Sequence, residues 1–264
     1  MIRLEGLQVT FARGTPLETP ALRGLDLTIG AGEFVTVIGS NGAGKSTLLN
    51  AVSGEVIPDA GRVLVDETDV TRWPAARRAG RVARVFQDPV AGSCAELTLE
   101  ENLALAHARG RRRGLRRALG GARRDLFRER LAELGLGLEA RLSERMDRLS
   151  GGQRQAVSLL MATLQPSRVL LLDEHTAALD PRTAEMVLEL TRRVVAEHRL
   201  TTLMVTHSMR QALAAGSRTL MLHEGRIALD VSGGERAGLA VPDLVALFAQ
   251  ARHQALDDDS LLLG

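Results

Sequence analysis

Three glycines, a lysine and two hydroxyl groups stand close together in Gly39-Ser40-Asn41-Gly42-Ala43-Gly44-Lys45-Ser46, with Thr47 directly after them. This spacing fits a phosphate-binding loop, in which glycines let successive backbone N–H groups turn toward one anion and the following helix adds its partial positive charge. In such a loop Lys45 reaches the β- and γ-phosphates of a nucleoside triphosphate, and Ser46 ligates Mg²⁺. Lysine and arginine together number 34, yet Lys45 is the single lysine. Where any cation suffices the chain uses arginine; at position 45 it keeps lysine.

A second cluster, Val169-Leu170-Leu171-Leu172-Asp173-Glu174, is an apolar run ending in two carboxylates. A buried strand of this kind delivers charge to the carboxyl edge of a sheet, where α/β proteins bind ligands. Asp173 is placed to hold Mg²⁺ through water, and Glu174 to polarise an attacking water. An ordinary strand ending in an acidic turn reads the same in isolation; beside a phosphate loop the catalytic reading gains the weight.

These groups need a sheet to carry them. Phe34 to Ile38 is a mostly apolar run entering the glycine loop, as a buried central strand does, and a helix is expected from Lys45 to about Ser53. Alternation in Ile2 to Val9 and Leu25 to Ile29 predicts antiparallel strands exposed on one face. Gly61 to Val65, Val82 to Phe86, Leu203 to Thr206 and Thr219 to Leu222 read as further strands, and Leu222 to Arg226 as a hairpin turn. Thr98-Leu99-Glu100-Glu101 is a capping box, after which the chain keeps helical character to about Arg145, broken by Gly110, Gly114 and Gly120-Gly121. A last helix is expected near Pro242, followed by a frayed tail. The expected fold is α/β: a P-loop core of mixed sheet and helices with an antiparallel β subdomain. Residues 1–250 form one domain, a helical subdomain at roughly 98–165 is inserted in it, and 251–264 form a tail.

Composition limits the class. Hydrophobic residues make up 45% of 264, enough for a substantial core, while aromatics are 2% and tyrosine is absent. The single cysteine, Cys94, leaves no internal disulfide framework and suits a reducing compartment. The first residues lack the apolar stretch of a signal peptide, and no apolar run is long enough to span a bilayer, so a soluble protein is expected. The arginine bias reads as a compositional pressure; no nucleic-acid partner is expected.

A third motif brings in a family. Leu149-Ser150-Gly151-Gly152-Gln153 resembles the signature motif of ATP-binding-cassette (ABC) ATPases. As chemistry it is a Ser-Gly-Gly turn at a helix start, offering N–H groups and a hydroxyl to an anion, with Ser150 equally able to cap the helix. Other segments follow the family order. Gln87 is similar to the Q-loop glutamine that senses Mg²⁺ and the attacking water, and Ala178-Leu179-Asp180 to the D-loop. His207 resembles the switch histidine at the γ-phosphate. Phe11 is the candidate to stack on adenine, against the alternative of a core phenylalanine ending the first strand. His175 stands where the family usually has proline and Ala177 where it often has serine; neither removes a group needed for hydrolysis. The stretches 86–92 and 173–181 resemble the ATPases of a bacterial importer group associated with tryptophan, tyrosine or amino-acid transport.

The resemblance implies a subunit that binds and hydrolyses ATP with Mg²⁺ and pairs head-to-tail with a second copy. It further implies an integral membrane permease and, indirectly, an extracytoplasmic substrate-binding protein. The subunit would then lie in the cytoplasm, peripheral on the inner face of the membrane. An exporter or lipid-transport ATPase, or a non-transport ABC protein, are the alternatives. Two features stand outside the motifs. Arg109 to Arg124 contains eight arginines and no acid, expected as a solvated face or, alternatively, a contact with anionic lipid. Cys94 is expected to be a buried or neutral thiol beside the permease-contact region.

Overall fold

The computed structural model describes residues 1–111 and 118–250. The chain starts with β1 (Ile2–Phe11), β2 (Thr19–Ile29) and β3 (Phe34–Gly39), then α1 (Lys45–Ser53), β4 (Ala60–Val65) and β5 (Thr68–Asp69). A short α2 (Ala75–Arg78) and β6 (Val82–Val85) lead to the helices α3 (Leu99–His107), α4 (Gly121–Ala132) and α5 (Gly151–Thr163). The chain then alternates β7 (Val169–Asp173), α6 (Pro181–His198), β8 (Thr201–Val205), α7 (Met209–Ala215) and β9 (Arg218–His223). It continues through β10 (Arg226–Ser232) and α8 (Gly233–Ala237) to a helix over 241–250.

The alternating N-terminal segments form the antiparallel layer. Four strands lie in the order β2-β1-β4-β5, and the inward positions Ile2, Leu4, Leu7 and Val9 of β1 are buried against Leu22, Leu25, Leu27 and Ile29 of β2. Both strands run further than alternation indicates, because Phe11 pairs with Thr19 and Thr10 with Pro20. Pro20 interrupts the sequence pattern but not the sheet: β2 is an edge strand, where a missing N–H costs no ladder bond.

The second sheet has six strands, ordered β10-β9-β3-β8-β7-β6, parallel except for β10, which returns antiparallel through the expected hairpin. Its central strands are apolar on both faces. Along β7, Val169 and Leu171 enter the core shared with the antiparallel layer and α1, while Leu170 and Leu172 enter the core beneath α3, α4, α5 and α6. Period-2 alternation is therefore present but hidden, since both faces are covered by apolar layers.

The insertion opens on the expected capping box: Glu101 N–H donates to Thr98 Oγ1 (3.3 Å) and Thr98 N–H to Glu101 Oε2 (2.8 Å). Helical character does not persist to Arg145. Residues 133–150 form turns with one 3₁₀ turn at Met146–Arg148, although Leu134, Leu138, Leu142 and Met146 are all buried at four-residue spacing. Gly135 and Gly137 both take φ 69°, which ends the helix while the leucines still reach the same core.

One buried cation ties α1 to the antiparallel layer. Arg78 is fully buried and donates to the carbonyls of Ala51 (2.6 Å), Val52 (3.0 Å), Thr71 (2.9 Å) and Trp73 (2.9 Å). Burial pushes its pKa down to about 10, so it stays charged at neutral pH. Two of those carbonyls belong to the last turn of α1, where a cation also meets the negative end of the helix dipole. Arg78→Met leaves four buried carbonyls without their donor and is expected to cost about 3 kcal/mol of stability. Urea unfolding would show a lower midpoint at unchanged slope; an unmoved midpoint would contradict the role.

Candidate functional site

Strand register brings the candidate residues to one edge. Val37 of β3 pairs with Val205 of β8, Asp173 of β7 pairs with the same Val205, and Val85 of β6 pairs with Leu172 of β7. The glycine loop leaves β3 at Gly39, Gln87 follows β6 by two residues, Asp173 and Glu174 end β7, and His207 follows β8 by two residues. Four chain segments distant in sequence thus emerge at one level, on the carboxyl edge of a parallel sheet.

The loop from Gly39 to Gly44 wraps the start of α1. Gly44, with φ 99°, occupies the position before the helix and provides no side-chain cap. A Cβ at position 44 would lie 2.5 Å from the Ala21 carbonyl oxygen, so both backbone conformation and space require glycine there. Helices α3, α5, α6 and α7 each have a side-chain cap, from Thr98, Ser150, Asp180 and Ser208 respectively. Helix α1 has none, as is also true of α2, α4 and α8, but it alone opens directly from the glycine loop, an arrangement suited to an anion. Lys45 Nζ donates to the carbonyls of Gly39 (2.8 Å) and Ser40 (2.9 Å), which holds the ammonium inside the loop. Burial pulls its pKa below the ordinary value, and the carboxylates of Glu174 and Asp173 push it back up. Ser40, Asn41, Gly42 and Ser46 are exposed, Thr47 is half-buried, and Ala43 is buried beneath the loop.

Opposite the lysine stand the two carboxylates. Glu174 has φ 43°, a left-handed conformation uncommon for glutamate, held by its N–H on the Val205 carbonyl (3.0 Å) and by Ala177 N–H on its own carbonyl (2.9 Å). Its Oε2 lies 3.4 Å from Nδ1 of the exposed His207. Asp173 Oδ2 is ion-paired to Arg84 Nη2 at 2.5 Å, and the same guanidinium donates to Asn50 Oδ1 and Glu55 Oε2, both at 2.7 Å. Gln87 is exposed, on a segment anchored where Gln155 Nε2 donates to the Phe86 carbonyl (3.2 Å). His175, in the place of the usual proline, is buried. Its Nε2–H donates to Thr191 Oγ1 (3.0 Å), since the threonine hydroxyl is itself given to the Val187 carbonyl (2.8 Å). Burial pushes its pKa down to about 4, so it is neutral at physiological pH and acts as a buried strut between this turn and α6.

The signature residues bond among themselves. Ser150 Oγ accepts from Gln153 N–H (3.3 Å) and Gln153 Oε1 from Ser150 N–H (3.2 Å), a complete capping box on α5. Among the described residues no hydrogen bond or ion pair joins Ser150, Gly151, Gly152 or Gln153 to the glycine loop of the same chain. Gly152 has a packing reason too: a Cβ there would overlap the Thr183 methyl at the start of α6. Asp180 caps α6 by accepting from Thr183 N–H (3.1 Å), and these bonds hold its pKa below the usual carboxylate range. Phe11 ends β1 with 44% of its surface exposed, which removes the core alternative.

Two sequence expectations need correction. The arginine run is not a uniform solvated face: Arg109 is tied to the Ala162 carbonyl (2.6 Å) and Ser167 Oγ (2.9 Å), and Arg124 holds Glu100 through two bonds of 2.6 and 2.9 Å. Residues 112–117 of that run, and the tail 251–264, lie outside the described residues. Of the two alternatives held for Cys94, a buried or a neutral thiol, its exposure removes the buried one. Cys94 lies on a groove of about 590 Å³ between β6 and the helices α2, α3 and α5, lined by Ala79, Val82, Phe86, Leu105 and Met161. Sequence reasoning missed Arg84. The available signal was an arginine inside the otherwise apolar Val82-Ala83-Arg84-Val85, one strand away from Asp173.

Comparison with known proteins agrees with this arrangement. The sequence profile described as ABC transporter matches residues 22–177. The tyrosine transport ATP-binding protein of Clostridioides difficile (strain R20291) is 42% identical over 95% of this chain and 100% of its own length. The thiamine import ATP-binding protein of Yersinia pseudotuberculosis serotype I (strain IP32953) is 39% identical over 78% of this chain and 82% of its own. Among solved structures, a dimeric ATP-binding cassette in a post-hydrolysis state, bound to ADP and phosphate, superposes with a TM-score of 0.76. It is 29% identical over 88% of this chain and 98% of that one.

Proposed function

The chain belongs to the ABC transporter family as an ATP-binding, ATP-hydrolysing subunit, and from that membership we propose that it supplies half of each composite site in a homodimer that drives a separate membrane permease. The observation that carries the catalytic reading is the uncapped start of α1, with Lys45 inside its loop and two strand-end carboxylates beside it. Residues 1–250 act as one nucleotide-binding domain.

In this reading the backbone N–H groups of Gly39 to Thr47 and the Lys45 ammonium take the β- and γ-phosphates, and the exposed Phe11 ring stacks on adenine. A hydroxyl from Ser46 and a carboxylate from Asp173 are hard oxygen donors that suit Mg²⁺, with Gln87 on the adjoining segment as a third. When bound, the metal spreads the charge of the phosphate oxygens. Glu174 orients the attacking water and accepts its proton, and His207, 3.4 Å from that carboxylate, contacts the γ-phosphate. Ser150, Gly151, Gly152 and Gln153 of the second copy close the site from the far side, with Asp180 reaching across nearby. That the signature turn makes no hydrogen bond or ion pair with its own loop among the described residues is in keeping with that division of labour.

Transport is the purpose this reading assigns to the hydrolysis. No described helix is long and apolar enough to cross a membrane; membership of the transporter family is what supports a membrane-spanning partner. The groove beside β6, with Leu105 46% exposed on its wall, is the surface proposed for the permease. The subunit then sits on the cytoplasmic face of the membrane. The names of the relatives favour import of an amino acid or similar small solute, delivered by an extracytoplasmic binding protein.

Expression with its permease tests the reading. The chain is expected in detergent-extracted membranes, bound to a polypeptide with several membrane-spanning helices, and solute on the outer side should stimulate ATPase activity in reconstituted vesicles. Leu105→Asp should release it from the membrane fraction while leaving nucleotide affinity unchanged. Recovery of the unaltered chain wholly free of membranes would reject the transport role, and solute movement only outward would reject import.

A further inference from the structure

Glu174 and His207 come from different strands, separated by 33 residues of chain, so backbone connectivity does not set their distance. The β7–β8 ladder, ending in the bond from Glu174 N–H to the Val205 carbonyl (3.0 Å), sets the two backbones side by side, and beyond it one side-chain oxygen ties together the turns that follow. Thr176, two residues after Glu174, donates its hydroxyl to Gln211 Oε1 at 3.0 Å. Thr206, immediately before His207, donates its hydroxyl to the same Oε1 at 3.1 Å. Both threonines are buried, at 5% and 4% exposure, so solvent offers little replacement for that acceptor.

Gln211 is itself fixed. It lies in the first turn of α7, where its N–H donates to Ser208 Oγ (3.3 Å), and Ser208 N–H in turn donates to Thr206 Oγ1 (3.1 Å). The bonds close a ring through Thr206, Ser208 and Gln211, and Thr176 is the arm that attaches the Glu174 turn to it. That turn needs such support, because Glu174 holds a left-handed backbone conformation at φ 43°.

We propose that Gln211 is a positioning residue for ATP hydrolysis, its one amide oxygen holding the Glu174 turn and the His207 turn at working separation. The inference rests on the assignment of Glu174 and His207 as the hydrolytic pair. Gln211 touches neither phosphate nor water; it acts through the two threonines. Its loss therefore appears in turnover and not in nucleotide binding.

The test compares Gln211→Leu, Gln211→Glu and the double variant Thr206→Val/Gln211→Leu in the full chain, by steady-state ATPase kinetics and by equilibrium binding of a fluorescent ATP analogue. Gln211→Leu is expected to lower kcat about tenfold or more, as displacement of catalytic groups by a fraction of an ångström does. Its nucleotide Kd should stay within about twofold of the parent, the pattern of a loss confined to the chemical step. Gln211→Glu keeps an oxygen acceptor and should retain kcat within about threefold, a rescue that a requirement for the amide as such would not give. The double variant should lose much less than the product of the two single losses, since both changes break the Thr206–Gln211 link and only the Ser208 N–H bond to Thr206 Oγ1 is lost in addition. Should Gln211→Leu fold poorly, Thr176→Val and Thr206→Val each remove one arm and should each reduce kcat at unchanged Kd.

Equal kcat losses in Gln211→Leu and Gln211→Glu would overturn the proposal, as would full activity of Gln211→Leu beside an inactive Glu174→Gln. Normal turnover in Glu174→Gln and His207→Ala would instead remove the pair itself, and the proposal with it.

Discussion

Glu174→Gln is expected to bind ATP, to dimerise on it, and to turn over about 10²- to 10⁴-fold more slowly than the parent, the range that general acid–base groups contribute. The amide matches the carboxylate in shape, so the left-handed turn and the bonds of its backbone to Val205 and Ala177 persist. What disappears is a proton acceptor and one negative charge facing Lys45. Both losses act in one direction on the dimer: less repulsion of the bound triphosphate and no route to its cleavage. Size-exclusion chromatography with light scattering should show an ATP-dependent dimer that outlasts the parent's, and phosphate release should be near background. Turnover within a few-fold of the parent would remove Glu174 from the role of base.

Lys45→Ala is expected to weaken ATP binding on the order of a hundredfold, in line with loss of a charge-assisted hydrogen bond of about 1.5–3 kcal/mol. The ammonium now donates to the carbonyls of Gly39 and Ser40, so its removal also leaves the loop without its internal clamp. Lys45→Arg distinguishes charge from shape. A planar guanidinium cannot sit in a fold built around a compact ammonium, and it should recover less than about a tenth of the lost affinity. Isothermal titration with a non-hydrolysable ATP analogue reads both variants. Unchanged affinity in Lys45→Ala would refute the phosphate-gripping role, and full recovery in Lys45→Arg would refute the shape argument.

Several parts of the molecule were readable from local pattern because their causes are local. The capping box at Thr98 and Glu101 and the helix cap from Ser150 each depend on residues within one turn, and both formed as expected, Gln153 completing the second into a box. The glycine loop was likewise legible, since Gly44 is required by its own φ and by the approach of Ala21. Errors arose where tertiary context overrode the pattern. Leu134, Leu138, Leu142 and Met146 keep helical spacing, yet a pair of left-handed glycines turns that stretch into loops that bury the same side chains. Phe11 and Cys94 could not be placed by type, because exposure depends on which layer covers them.

Taken alone, the sequence determined the chemistry available here: a lysine kept among arginines, a hydroxyl beside it, two carboxylates ending an apolar strand, and a serine–glycine turn opening a helix. Those are properties of residue type and short spacing, which a single strand, loop or helix turn fixes. Only the tertiary structure decided what stands beside what. Strand pairing set Gln87, Asp173, Glu174 and His207 at one edge, put Arg84 on Asp173, and gave Thr176 and Thr206 a shared acceptor in Gln211. These contacts join segments far apart in the chain, and their formation depends on sheet order and register, which no local pattern encodes.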